Sequence, residues 1–199
     1  MTSAAEFGTW TDGTSDLIYR GAMPYLLDGL PAAGPVVDLG GANGLSRAFL
    51  PGRQITTVDI DPATGPDVVA DALTYRHHGP AETVLIRYLL HYLTDGQVRE
   101  LFANLARWHH GGVVVVQFTN ETPASKAANS ADTATRRWRH PAELLHLLGA
   151  LDDWRRGARV NRLDYTVEPG FYASRLGSPG SYPHAETLLG LALERRGTS

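Results

Sequence analysis

The stretch Val36-Val37-Asp38-Leu39-Gly40-Gly41-Ala42-Asn43-Gly44 decides the fold. A short apolar run ends in small residues, which lets the backbone turn sharply and approach a ligand with no side chain in between. Asp59, 21 residues after Asp38, closes a second such run in Thr57-Val58-Asp59-Ile60-Asp61. A carboxylate at the end of the neighbouring strand can accept hydrogen bonds from both hydroxyls of a ribose. The dinucleotide fingerprint G-x-G-x-x-G does not fit, because it needs glycine at 40, 42 and 45, where the chain has Gly40, Ala42 and Leu45.

Further runs, Gln54 to Val58, Thr83 to Ile86 and Val113 to Phe118, are bounded by Gly, Pro or Asp and read as buried parallel strands. Between the last two, Thr94-Asp95-Gly96-Gln97 has capping-box spacing, and Val98, Leu101, Phe102 and Leu105 recur on one helical face. A second helix follows Pro141, with Leu144, Leu145 and Leu148 on one face and Gly149 as terminator. Strand and helix alternate, so the class is α/β with a doubly wound, mostly parallel sheet. Arg159 to Val167 and Phe171 to Leu176 flank Glu168-Pro169-Gly170, which predicts a closing antiparallel hairpin. A last helix is expected over about Ala185 to Arg196, packing Leu188, Leu189 and Leu191 or Ala192. Thr119 to His140 is a long connection without period, of the kind that is either a lid or disordered. One domain is expected over 1–199: a small N-terminal cap over 1–33, a core over 34–176 and a C-terminal helix within 177–199.

Composition narrows the function. The chain has 199 residues and a formal charge of −3, so its overall field gives a polyanion no general attraction, and nucleic acid is not an expected partner. Cysteine is absent, which removes disulfides and thiolate chemistry, and no apolar stretch approaches a membrane span. The first thirty residues carry no targeting pattern, so a cytoplasmic protein without membrane contact is expected. The pairs His77-His78 and His109-His110 do not make a metal site: neighbouring side chains point apart, and no carboxylate follows at i+4.

With Asp38, Gly40, Gly44 and Asp59 in place, the sequence resembles the class I S-adenosylmethionine-dependent methyltransferases, whose first motif runs D/E-x-G-x-G-x-G with an acidic residue closing the second strand. Ala42 stands where the family has its middle glycine. Val69-Ala70-Asp71-Ala72 resembles the third motif, and His110-Gly111-Gly112-Val113-Val114-Val115 resembles the turn opening the fifth strand. The ordered set spans about residues 34 to 176. The resemblance implies a Rossmann-like methyltransferase fold and S-adenosyl-L-methionine as cofactor. It also implies residue roles: Asp38 at the methionine end with the loop amides, Asp59 on the ribose, Ile60 on the adenine face, and Asp71 with the amide of Ala72 on the adenine edge. Only eight residues separate Asp59 from Val68, too few for a crossover helix. The third strand should be short and the sheet face beside it open to the C-terminal helix, a partner or a second copy in a homodimer.

In this fold the acceptor lies beyond the fourth strand, which places Arg87, on the cofactor side, with Tyr88 and His91 at the site. Arg87-Tyr88-Leu89-Leu90-His91-Tyr92-Leu93-Thr94-Asp95 resembles the segment of small-molecule O-methyltransferases whose histidine is the general base, although that family continues with Asp-Trp where this chain has Tyr92-Leu93. His91 is therefore either a base or a packed histidine at a helix start. Arg137 and Trp138, in Arg136-Arg137-Trp138-Arg139-His140, either clamp an anionic acceptor or belong to a solvated basic stretch. Tyr19 and Tyr25 of the cap either close over the ligands or pack. The expected function is methyl transfer to a small organic acceptor, with oxygen preferred over nitrogen. The alternative is a protein that binds S-adenosylmethionine without methyl transfer, as a rearrangement catalyst, a regulator or a heteromeric partner.

Overall fold

The computed structural model describes Leu30, residues 33–120, Arg137, and residues 139–167 and 184–197. Tyr19, Tyr25, Trp138 and the expected hairpin arm Phe171 to Leu176 lie outside the described residues. Seven strands form one sheet: Val36–Leu39 (β1), Ile55–Asp59 (β2), Val68–Val69 (β3), Thr83–Arg87 (β4), Gly112–Asn120 (β5), Trp154–Val167 (β6) and His184–Arg195 (β7). Their order is β3-β2-β1-β4-β5-β7-β6. The pairs from β3 to β5 are parallel, and β7 inserts antiparallel between β5 and β6. The chain thus reverses its winding beside β1 and β4, the place where such sheets bind ligands.

Among the described residues the α-helices are Ser46–Phe49 (α1), Asp95–Trp108 (α2) and Pro141–Gly149 (α3). Thr94 caps α2 with the expected box: Thr94 Oγ1 accepts from the Gln97 amide at 3.2 Å, and Gln97 Oε1 accepts from the Thr94 amide at 2.9 Å. Val98, Leu101, Phe102 and Leu105 are all buried on one face of the sheet, together with Leu144, Leu147 and Leu148 of α3. Each such side chain contributes about 2 kcal/mol by leaving water. Trp154 at the start of β6 joins this layer, donating from Nε1 to the Phe102 carbonyl at 3.0 Å and packing edge-on against the Phe102 ring. The opposite face buries Val36, Ile55, Leu85, Val114, Val116, Phe118 and Leu188, with Leu30 and Phe49 packed against them.

The expected helix over Ala185 to Arg196 is a strand. Leu189, Leu191 and Leu193 point into the α2 and α3 layer and Leu188 into the opposite one, a period of two. β7 is interior to the sheet, so both its faces are buried, and such a strand loses the polar alternation that distinguishes it from a buried helix. The arm that pairs with Arg159 to Val167 is likewise His184–Arg195. Among the described residues, no C-terminal helix covers the face beside β3.

The link from β2 to β3 contains only a 3-10 turn, Pro62–Thr64, started by Asp61, whose Oδ1 accepts from the Ala63 amide at 2.9 Å. A side-chain clasp holds the short link instead. One oxygen of Asp67 accepts from the Thr57 amide at 2.7 Å and its hydroxyl at 2.9 Å, and also pairs with Arg47. β3 is two residues long, with Val69 exposed at the sheet edge. Among the described residues no helix is long and apolar enough to cross a membrane.

Candidate cofactor and acceptor site

A cavity of about 270 Å³ opens at the carboxyl ends of β1, β2, β4 and β5. Gly40, Gly41 and Ala42 form one wall, Asp59, Ile60, Asp71 and Ala72 a second, and Arg87, Tyr88, His91 and Phe118 the far end. Residues from Gly40 to Phe118 meet there because parallel strands all deliver their following loops to one edge.

The β1 turn is built on left-handed backbone. Gly40 has φ +71°, a conformation that favours glycine, and a Cβ there would sit tightly, 3.1 Å from Leu89 Cδ1. Ala42 is also left-handed, at φ +43°, which strains a residue with a Cβ. Asp59 fixes this bend: its Oδ2 accepts from the Ala42 amide at 2.9 Å and its Oδ1 from the Asp61 amide at 3.0 Å. Each carboxylate oxygen carries a second acceptor site. Ile60 follows, 61% exposed while lining the cavity, an apolar surface presented to whatever enters. Asp71 Oδ1 accepts from the Leu73 amide at 2.9 Å, which starts the turn that carries Ala72 along the same wall.

Asp38 and Gly44 do not line the cavity. Gly44 shapes the bend from behind, and Asp38 lies beneath it, fully buried, with Oδ2 accepting from Arg87 Nη2 at 2.9 Å. Both partners of that ion pair are out of water, at 0% and 3% side-chain exposure. Asp38 Oδ1 is buried and accepts no hydrogen bond from the described residues. Arg87 reaches the cavity itself, so the pair connects the floor of the bend to its far end.

At that far end Tyr88 adopts φ +52° and stacks on Phe118, with ring centroids 4.3 Å apart and planes 15° from parallel. Strained non-glycine backbone of this kind concentrates at functional sites. His91 sits in a 3-10 turn, Leu90–Tyr92, nearly buried, its ring 4.0 Å from that of Tyr92. Its Nδ1 meets Gln117 Nε2 at 2.8 Å.

Of the basic stretch before α3, Arg137 is exposed and its amide donates to the His91 carbonyl. Arg139 is buried and donates to the Leu90 and Leu93 carbonyls, each at 2.7 Å, and to Asp95. It is a strap that holds the His91 segment against α3, a use the composition of the stretch does not reveal. Gln117, Phe118, Tyr92 and Gln97 also belong to the site, without a role marked for them in the sequence. For Gln117 a signal exists: it is a polar residue that ends a run of four valines at the carboxyl end of a buried strand. Among the described residues no group of three or more His, Asp or Glu side chains is placed to hold a metal ion.

No protein-family model matches the sequence, and no curated protein does. Solved structures do match. The geranyl diphosphate C-methyltransferase of Streptomyces coelicolor A3(2), crystallised with geranyl diphosphate and S-adenosyl-L-homocysteine, superposes with a TM-score of 0.64 at 15% identity, over 91% of this chain and 80% of that one. The magnesium protoporphyrin IX methyltransferase of Synechocystis PCC 6803 gives 0.60 at 14% identity, over 94% and 92%. The mitomycin 7-O-methyltransferase MmcR gives 0.61 at 15% identity, over 98% of this chain and 61% of that one. At these identities the likeness speaks for architecture. The chain has the Rossmann-like fold of the class I methyltransferases, with its cavity at the carboxyl edge where that fold turns back on itself.

Proposed function

We propose that the protein is an S-adenosylmethionine-dependent methyltransferase acting on a small organic acceptor, with oxygen the preferred acceptor atom. The observation that carries this reading is the convergence of the glycine bend, Asp59 and exposed Ile60 on one cavity, above a buried carboxylate oxygen of Asp38 that has no partner among the described residues. A bare turn needs none of these. The donor set fits an adenosyl group with an amino acid tail. Asp59 would take the ribose hydroxyls through its remaining acceptor sites, and Ile60 would lie on the adenine face. Asp71 with the Ala72 amide would meet the adenine edge. The bend, with Asp38 and Arg87 behind it, would hold the charged amino acid end.

When bound, the cofactor supplies a methyl group already activated on a sulfonium. The chain must then chiefly orient the acceptor and exclude water. The far end is suited to that. Tyr88, Tyr92, Phe118, Leu89 and Leu93 give an apolar, aromatic lining, with His91 and Gln97 as polar points. Cavities of this make-up take small molecules whose orientation is set by few polar contacts. The oxygen preference rests on His91 and Arg87 beside that lining.

The test is incubation with methyl-labelled cofactor and a panel of small hydroxyl, carboxyl and amino compounds. Label recovered in an extracted product supports the reading. Tight cofactor binding with no methyl lost to any acceptor overturns it in favour of a protein that binds the cofactor without transfer.

A further inference from the structure

We infer that Gln117 locks His91 in the tautomer with its proton on Nε2, so that His91 serves the acceptor as a hydrogen-bond donor and the acceptor oxygen arrives already ionised, as a carboxylate. This deepens the methyltransferase reading and rests on it. A primary amide has one accepting and one donating end, and its direction follows from its neighbours. Gln117 Oε1 accepts from the Leu90 amide at 3.0 Å, and Gln117 Nε2 lies 3.3 Å from the Phe118 carbonyl, to which it donates. Reversing the amide would set NH₂ against N–H on one side and oxygen against oxygen on the other, inside a buried site. The NH₂ therefore faces His91 Nδ1 at 2.8 Å, and Nδ1 must accept.

A neutral imidazole whose Nδ1 accepts carries its proton on Nε2. Any contact of His91 with an acceptor is made through Nε2, because Nδ1 is engaged by Gln117. A general base needs a lone pair at that nitrogen. Supplying one would put N–H on Nδ1 directly against the Gln117 amide hydrogens, and the ring that had taken a proton would meet the same clash. Among the described residues, the arginines packed around this segment have carboxylate partners. Arg87 is paired with Asp38 and Arg139 with Asp95. Tyr92 lies beside the ring on its own segment, and the Arg137 backbone amide donates to the His91 carbonyl.

A carboxylate suits these donors and needs no base. Its oxygen supplies the electron pair of the new C–O bond. The C–S bond of the sulfonium breaks with its pair retained on sulfur, so a methyl ester and a neutral thioether leave and no proton is released. An N–H from His91 holds such an oxygen in line, whereas a neutral alcohol would have to lose a proton that His91 is not set to take. Gln117 is a positioning residue, acting only through the ring.

The experiment reads the tautomer directly in the ¹⁵N-labelled full chain by long-range ¹H–¹⁵N correlation, with the His91 signals assigned by their loss in His91→Gln. The expected result is that the neutral ring carries its proton on Nε2. A ring protonated on Nδ1, or on both nitrogens near neutrality, overturns the proposal. Gln117→Glu, whose carboxylate can only accept, should move the proton to Nδ1. Gln117→Met, which adds no charge, should remove the single-tautomer pattern. An unchanged pattern in both variants denies Gln117 its role.

Rates give a second readout. His91→Gln, which keeps an N–H, should retain methylation within about tenfold, and His91→Ala should lose about 10²-fold. Equal losses in the two would mean a base. Benzoate, phenylacetate and hexanoate should accept label where phenol and hexanol do not, and the opposite preference overturns the acceptor class. Should none of them be methylated, the transferase reading fails while the spectrum still decides the tautomer.

Discussion

Replacing Asp38 by Asn leaves the Arg87 guanidinium buried without its carboxylate, and the size of the effect follows from the geometry. The pair is 2.9 Å apart with both side chains out of water, so neither charge recovers hydration when the other is lost. Breaking a buried pair from one side costs about 3–5 kcal/mol. Against a typical domain stability of about 5–15 kcal/mol, this is about a fifth or more of the total. For a chain of this length it corresponds to a fall in Tm of about 6–20 °C. Arg87→Met should cost a similar amount by stranding Asp38. The double variant Asp38→Asn/Arg87→Met, which leaves no charge behind, should be more stable than either single one, with a coupling of more than about 2 kcal/mol. Urea unfolding followed by circular dichroism measures all four proteins, and an unchanged m-value confirms that the midpoints report stability. Adding salt to 0.5 M should leave the coupling in place, because buried pairs are little screened. Additive single effects, or a coupling that salt abolishes, would refute the view that the pair is a sealed brace under the glycine bend.

Other consequences are smaller and separable. Ala42→Gly relieves about 1–2 kcal/mol of left-handed strain at φ +43° and adds about 0.4–1 kcal/mol of unfolded-state entropy. It should raise Tm by about 1–3 °C; a fall would mean that the methyl group packs favourably in the bend. Burial pushes His109 below its ordinary value, outweighing the opposing hydrogen bond to the Gly112 carbonyl, and His110 and His77 add to the depression. The folded state therefore binds this proton less readily than the unfolded chain. The stabilisation is complete above about pH 6.5 and is lost as pH falls through the lower native value. Unfolding free energy should drop between about pH 7 and 5, and His109→Gln, which keeps a donor for the Gly112 carbonyl, should flatten that slope. Arg139→Leu should cost about 3 kcal/mol in the same urea experiment by leaving the Leu90 and Leu93 carbonyls without their charged donor. A loss below about 1 kcal/mol would show that water replaces the strap.

The legible parts of this molecule are those whose physics is local. The β1 bend was readable because only small residues permit the φ of Gly40, and α2 because its cap and its apolar face are both written within fourteen residues. The short β3 followed from counting the residues available for a crossover. β7 was misread because its interior position in the sheet removes the alternation that marks a strand, although Gly190 within the run argued against a helix. The site divides the same way. Asp59, Ile60 and Asp71 sit at strand ends that the sequence marks, whereas the relation of His91 to Gln117 joins residues 26 apart, and the direction of an amide has no sequence signature. The strap made by Arg139 is equally invisible, since a guanidinium in a basic stretch is expected to face water.

Calorimetric titration with S-adenosyl-L-homocysteine tests most directly that the cavity is a cofactor site. The purified chain should bind one equivalent saturably. Ile60→Ala, at a position that is exposed and unneeded for folding, should weaken binding by about 1 kcal/mol, or roughly fivefold, at unchanged Tm. Absence of heat and of any thermal shift at millimolar ligand, or an affinity indifferent to Ile60, would contradict it.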